Sequence, residues 1–260
     1  MIPDHHLDGP EDAPMLVLAN SLGTTRRLWE AQMPAFTSEF RVLRFDHRGH
    51  GLSSVAPGAY TMAMLAGDLV ELLDRLGIAR ASVCGMSLGG AVAMQLAVLA
   101  PDRVERLVLA CTTPRFGDPA VWRERAAIVR RDGTGVVADG AIGRWFTAHT
   151  REQHPDIPAH FRDDLLSVAA AGYAGCCDAL AAWDFGGSLG SIAAPTLVVA
   201  GTDDPVVPPA DAEVTASRIP GARLVVIDDA AHLANIDQPR AFEQAALEHL
   251  TGGAERRETV

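Results

Sequence analysis

The sequence predicts an α/β protein: a mostly parallel central sheet flanked by helices, with an all-helical lid inserted between strands. Three observations predict it. Short β-rich apolar runs alternate with helix-period patterns, the signature of a parallel sheet covered on both faces. That alternation stops between about Thr112 and Trp183, a stretch with no convincing strand. A Gly-x-Ser-x-Gly run, Gly85-Met86-Ser87-Leu88-Gly89, stands between a strand and a helix.

Strands are expected at Met15 to Ala19, Arg41 to Phe45, Ala81 to Cys84, Arg106 to Cys111, Thr196 to Ala200 and Arg223 to Ile227. A helix over Met62 to Leu76 repeats apolar residues at Leu65, Leu69, Leu72, Leu73 and Leu76. Thr61 suits its N-cap and Gly77 closes it. Gly90 to Ala100 reads as a second helix, stopped by Pro101. Residues 112–185, rich in Arg, Ala, Trp and Asp, read as a cap of several short helices over the C-terminal edge of the sheet. The core is then formed by residues 1–111 and 186–250, and 251–260 reads as a polar tail.

Bulk properties narrow the function. With 260 residues, 48% of them hydrophobic and 21% charged, the chain has the make-up of one large globular domain. Its net charge of -11 disfavours nucleic acid or an anionic membrane as partner, since both need a basic face. It also requires an anionic substrate to be met by locally placed arginines. The N-terminus lacks a basic-then-apolar signal, and no apolar run reaches membrane-spanning length. Cys84, Cys111, Cys176 and Cys177 show no metal spacing and read as small core hydrophobes in a reducing cytoplasm.

A serine on a sharp strand-to-helix turn presents its Oγ above the sheet, with the first helix amides beside it. Ser87 is therefore the candidate nucleophile, and it needs a base oriented by a carboxylate. Only His232 follows the serine at the C-terminal end of a strand. His149, His154 and His160 fall within the lid, His249 lies on the last helix, and His5 and His6 precede the first clear strand; these read as solvated. For the acid, Asp203 and Asp204 compete after the strand ending at Ala200. Gly-x-x-Asp followed by a proline-containing loop favours Asp204, while Asp228 and Asp229 read as turn formers. An oxyanion hole needs two backbone N–H groups. Leu88, after the nucleophile, supplies one; Leu22, in the Asn20-Ser21-Leu22-Gly23 loop, is assigned the other.

These residues resemble the α/β-hydrolase superfamily across nearly the whole chain. The loop Asp46-His47-Arg48-Gly49-His50-Gly51-Leu52-Ser53 supports this, with Asp46 and Arg48 read as pins of a glycine-rich loop rather than as chemical groups. More narrowly, the sequence is similar to 3-oxoadipate enol-lactonases of the β-ketoadipate pathway. The matches are Asn20-Ser21-Leu22-Gly23-Thr24-Thr25 with Trp29, the Ser87 turn, Arg144-Trp145-Phe146-Thr147, and the stretch from Gly172-Tyr173 to Ala179-Leu180. Two features depart from the wider pattern. Asn20-Ser21 stands where hydrolases of this fold usually carry His-Gly, and the segment before Met15 is short for a full first hairpin, so fewer than eight strands are expected.

The resemblance implies hydrolysis of a small anionic enol-lactone by an acyl-enzyme route, without metal or cofactor. Ser87 would attack, His232 take the proton, and the amides of Leu22 and Leu88 hold the oxyanion. A free carboxylate on the substrate calls for an arginine fork. Arg26 and Arg27 beside the oxyanion loop, and Arg115, Arg123 and Arg144 in the lid, are the candidates, with Arg26 and Arg144 placed first. Trp122 resembles a lid tryptophan that packs on substrate. Trp145 is held beside it as a second substrate-side candidate, though it and Trp183 read first as lid-to-core packing. A carboxylesterase, a C–C bond hydrolase of ring-fission products, a cofactor-free perhydrolase or haloperoxidase, and a ligand-sensing receptor use the same constellation.

Overall fold

A computed structural model describes residues 1–253, and in it seven strands form one sheet. They are β1 (His5–Asp8), β2 (Met15–Ala19), β3 (Arg41–Phe45), β4 (Ala81–Met86), β5 (Val104–Ala110), β6 (Thr196–Gly201) and β7 (Arg223–Ile227). Their spatial order is β1-β3-β2-β4-β5-β6-β7, and every pairing is parallel except β1 with β3. β4 and β6 are buried along their whole length, which explains why Ala81 to Cys84 and Thr196 to Ala200 read as continuous apolar runs.

The helices are α1 (Met33–Phe36), α2 (Met62–Arg75), α3 (Leu88–Leu99), α4 (Pro119–Asp132), α5 (Gly135–Trp145), α6 (Ala148–Gln153), α7 (Asp156–Ser167), α8 (Ala170–Ala181), α9 (Pro209–Arg218), α10 (Ala234–Asp237) and α11 (Pro239–Leu250). Thr61 caps α2 by accepting the Met64 N–H at 3.2 Å. The five helices α4 to α8 lie between β5 and β6, where no strand occurs. The two ends of that insertion are tied together: Trp183 donates its indole N–H to the Thr113 carbonyl at 3.1 Å and stacks on Phe185.

Three boundaries differ from the sequence expectation. β1 was not expected, because His5-His6-Leu7-Asp8 is polar. It forms as a half-buried edge strand whose register is set by pairing His5 with Phe45 and Asp8 with Val42. The sheet nevertheless has seven strands among the described residues, short of eight. β4 runs on through Gly85 and Met86, and β5 begins at Val104 and stops before Cys111, whose φ of 46° takes it out of the sheet. The tail expected from Thr251 lies outside the described residues from position 254 on.

Between β2 and β4 the strand order turns: β3 lies to one side of β2 and β4 to the other. In open parallel sheets a crevice forms at the carboxyl ends of such a pair. The loop after β2 and the turn after β4 both open there, and the lid lies across them.

Candidate active site

The turn from β4 to α3 puts Ser87 at φ 54° and ψ -113°, a left-side conformation that costs a non-glycine residue about 1–3 kcal/mol. The Ser87 N–H is held by the Ala110 carbonyl at 2.8 Å. The flanking glycines are steric requirements. A Cβ at Gly85 would stand 2.4 Å from the Gly89 oxygen, and one at Gly89 would stand 2.2 Å from the Ala19 oxygen. Glycine at position 89 lets the turn approach β2, and glycine at position 85 lets the start of α3 fold back over β4.

His232 Nε2 lies 2.8 Å from Ser87 Oγ, and its Nδ1 lies 2.9 Å from Asp204 Oδ2. An ionised carboxylate only accepts, so Nδ1–H donates to Asp204 and the Nε2 lone pair faces the serine hydroxyl. Asp204 Oδ1 accepts the N–H groups of Val206 and Val207 at 2.8 and 3.0 Å, so both oxygens are engaged. Asp203 is exposed and contributes only a backbone bond to the Ala230 carbonyl. Asp228 and Asp229 lie exposed at the end of β7, the latter at φ 53°.

The other histidines stay apart from this line. His249, read from sequence as solvated, is instead buried, with Nε2 3.2 Å from the Pro195 carbonyl; burial lowers its pKa to about 4. The loop carrying His232 is tied to the lid by the Leu233 N–H, which donates to the Trp145 carbonyl at 2.9 Å, while the Ala231 N–H donates at 2.8 Å to Asp237 on α10. Asp237 also faces the Thr147 N–H, and burial raises its pKa.

The loop after β2 is fastened by two histidines that the sequence did not single out. His47 Nε2 bonds the Asn20 carbonyl at 3.0 Å, and Gly23 N–H donates to His50 Nε2 at 3.1 Å. Accepting that N–H requires a neutral His50; burial lowers the pKa of His50 to about 3 and of His47 to about 4. The Asn20 side chain donates to the Phe45 carbonyl and accepts the Trp29 indole N–H at 3.0 Å. Asn20 in place of the usual histidine is therefore a buried brace.

A cavity of about 200 Å³ opens over Ser87 and His232, closed by Leu22, Trp122, Trp145, Arg125, Arg144 and Tyr173 among others. It is smaller than the roughly 300–1,000 Å³ of drug-sized ligand sites, which limits it to a small molecule. Trp122, Trp145 and Arg144, named from sequence, all line it. Arg26 does not. Its guanidinium is paired with Asp4 and, at 2.8 Å, with Asp46, so its charge is neutralised outside the pocket and it does not serve as the carboxylate fork expected of it. Arg27 pairs with Asp164 and Glu30, and Arg115 and Arg123 are exposed.

Arg125 is the charged lining residue that sequence reasoning missed. Its guanidinium lies 4.6 Å over the Trp122 ring and beside the Tyr173 hydroxyl. The signal was present: Arg125 follows Trp122 by three residues and shares its helix face, whereas Arg123 points elsewhere. Among the described residues neither Arg125 nor Arg144 has a carboxylate partner, and the pKa of Arg144 is lowered by burial and by its neighbour Arg125.

A profile of the alpha/beta hydrolase family matches residues 16–245. A 3-oxoadipate enol-lactonase of Acinetobacter baylyi is 39% identical over 237 residues, covering 91% of this chain and 88% of its own length. The solved enol-lactonase from Burkholderia xenovorans LB400 is 41% identical with a TM-score of 0.93, covering 95% of this chain and 96% of that one. A solved hydrolase from Pseudomonas aeruginosa PA01 is 45% identical with a TM-score of 0.92, covering 95% and 93%.

Proposed function

This chain belongs to the alpha/beta hydrolase family and is a hydrolase, and from that premise we propose that it opens a small anionic enol-lactone, 3-oxoadipate enol-lactone. The observation that carries the substrate choice is the pair of arginines, Arg125 and Arg144, set in a small pocket over Ser87 with no acid partner among the described residues. In a chain of net charge -11, two half-buried guanidiniums with no carboxylate partner among the described residues, one of them stacked on Trp122, are suited to meet an anion. The kinship to enol-lactonases supports the same choice.

In this mechanism Ser87 Oγ attacks the lactone carbonyl carbon while its proton passes to His232 Nε2, 2.8 Å away. Asp204 holds the imidazole in the required tautomer and stabilises the imidazolium that forms. The tetrahedral oxyanion is received by the N–H groups of Leu22 and Leu88. Leu88 opens α3, so its N–H has no carbonyl within its own helix. In the β2 loop the Gly23 and Thr24 amides are taken by His50 and the Ser21 carbonyl, which leaves the Leu22 amide for the pocket.

Collapse breaks the ring C–O bond and expels an enolate, a better leaving group than an alkoxide. The enolate takes the proton that His232 Nε2 received from Ser87, which returns the imidazole to its neutral form. The resulting enol tautomerises to the ketone, which makes ring opening hard to reverse. The acyl group stays on Ser87 until water, deprotonated by His232, attacks it and releases 3-oxoadipate. Arg125 and Arg144 hold the carboxylate that does not react, with Trp122 and Trp145 against the ring.

The test offers purified protein and a Ser87→Ala variant 3-oxoadipate enol-lactone and 4-nitrophenyl esters of short acids. Saturable lactone turnover that Ser87→Ala abolishes is the expected result. Rapid ester cleavage with no lactone turnover would reject the substrate, and full activity in the variant would reject the mechanism.

A further inference from the structure

Each amide assigned to the oxyanion hole belongs to a peptide unit whose carbonyl is gripped by a buried threonine hydroxyl. Thr24 Oγ1 donates to the Ser21 carbonyl at 2.9 Å, and the Thr24 N–H reaches the same oxygen at 3.3 Å. Thr112 Oγ1 donates to the Ser87 carbonyl at 2.8 Å, an oxygen that also accepts the Ala91 N–H at 3.1 Å. A peptide unit is planar and trans, so its C=O and N–H point in opposite directions. Fixing the Ser21 oxygen therefore aims the Leu22 N–H, and fixing the Ser87 oxygen aims the Leu88 N–H.

The two threonines come from different parts of the chain. Thr24 lies in the loop after β2, and Thr112 follows β5, so they flank β4 from either side. Both are buried, and neither lines the pocket. The close approach of Thr112 depends on its neighbour: a Cβ at Gly90 would stand 2.5 Å from Thr112 Cγ2. The bond to Ser87 is not needed for the helix, because that carbonyl already accepts the Ala91 amide. A hydrogen bond to a carbonyl also polarises the N–H of the same unit, so each hydroxyl strengthens the donor as well as directing it.

We propose that Thr24 and Thr112 are positioning residues of the oxyanion hole, acting on the Leu22 and Leu88 amides from behind through the Ser21 and Ser87 carbonyls. The proposal rests on the reading of Ser87 as nucleophile and of those two amides as oxyanion donors. It concerns the transition state, since only there does the substrate oxygen carry the charge that an aimed N–H meets.

Thr24→Val and Thr112→Val keep the shape and remove the hydroxyl, and Thr24→Ser and Thr112→Ser keep the hydroxyl and remove a methyl. Two readouts are taken: kcat and KM on 4-nitrophenyl acetate and the enol-lactone, and calorimetric affinity for phenylboronic acid, whose tetrahedral adduct on Ser87 presents an oxyanion-like oxygen. Each valine variant is expected to lose about ten- to a hundred-fold in kcat, a part of the loss seen when an oxyanion donor is deleted, with KM unchanged. Boronate affinity falls by a similar factor, and the serine variants match the parent. Where a valine variant shows no cooperative melting transition, the Thr→Ala variant takes its place under the same criteria. Parent-like kcat and boronate affinity in the valine variants would overturn the proposal, as would serine variants that lose as much as valine ones or a loss confined to KM. A Ser87→Ala protein that still turns over substrate would instead overturn the underlying reading of the site. An inactive Ser87→Ala beside unaffected valine variants removes the threonine proposal alone.

Discussion

On the sheet side of the pocket Ser87, His232 and Asp204 are 5%, 2% and 4% exposed, and their side-chain polar atoms are engaged with one another or with backbone N–H groups. On the lid side Arg125 and Arg144 are half-buried, and neither has an acid partner among the described residues. The floor is a closed hydrogen-bond network fixed to strand ends, and the roof holds charge in reserve. A polar group left unpaired at partial burial costs stability. In the proposed mechanism the floor carries what every hydrolytic substrate needs, and the roof carries what distinguishes one substrate from another.

Substitutions that separate floor from roof sharpen this contrast. The largest effect is expected at the nucleophile: Ser87→Ala should lower kcat by about a million-fold on every substrate, measured by steady-state turnover. Asp204→Asn should cost about ten-thousand-fold by leaving the imidazole in the wrong tautomer, while exposed Asp203→Asn stays within about two-fold. If Asp203 gave the larger loss, the floor would be wrongly assigned. At the roof, Arg125→Met or Arg144→Met should raise KM for the anionic lactone about ten- to a hundred-fold, the worth of a charged hydrogen bond, and leave kcat unchanged.

A smaller effect concerns pH. His47, His50 and His249 have pKa values of about 4, 3 and 4 in the folded chain, set first by burial. In the unfolded chain each binds a proton near pH 6.5, so between there and about 4 the unfolded state holds more protons. Their contribution to stability is therefore complete at neutral pH and is lost as the pH falls through that window. Melting temperatures at pH 7 and pH 4.5 should show the drop, and His249→Gln, remote from the pocket, should flatten it.

The floor was legible in the sequence and the roof only in part, for physical reasons. Ser87, Asp204 and His232 stand at strand ends whose apolar runs are unambiguous, and Gly85 and Gly89 flank Ser87 at positions that admit no side chain. Arg125 was missed because an amphipathic lid helix has two polar faces to choose between, and only its spacing from Trp122 selects the inner one. Arg26 misled because closeness to the oxyanion loop in sequence says nothing of Asp4 and Asp46, which neutralise it in space. β1 escaped notice because its order comes from register with β3 and not from its own polar residues. The braces formed by His47, His50 and Thr112 are contacts between loops of different strands, which no local pattern encodes, whereas Thr24 closes a turn within its own loop.

The division between floor and roof is tested most directly by one comparison of kcat/KM. The Arg125→Met/Arg144→Met double variant and the parent protein are each given 3-oxoadipate enol-lactone and its neutral methyl ester. The account predicts a loss of about a hundred-fold or more on the anion and near-equal rates on the ester. Equal losses on both substrates would contradict it, because the arginines would then be holding the pocket together and not reading a carboxylate.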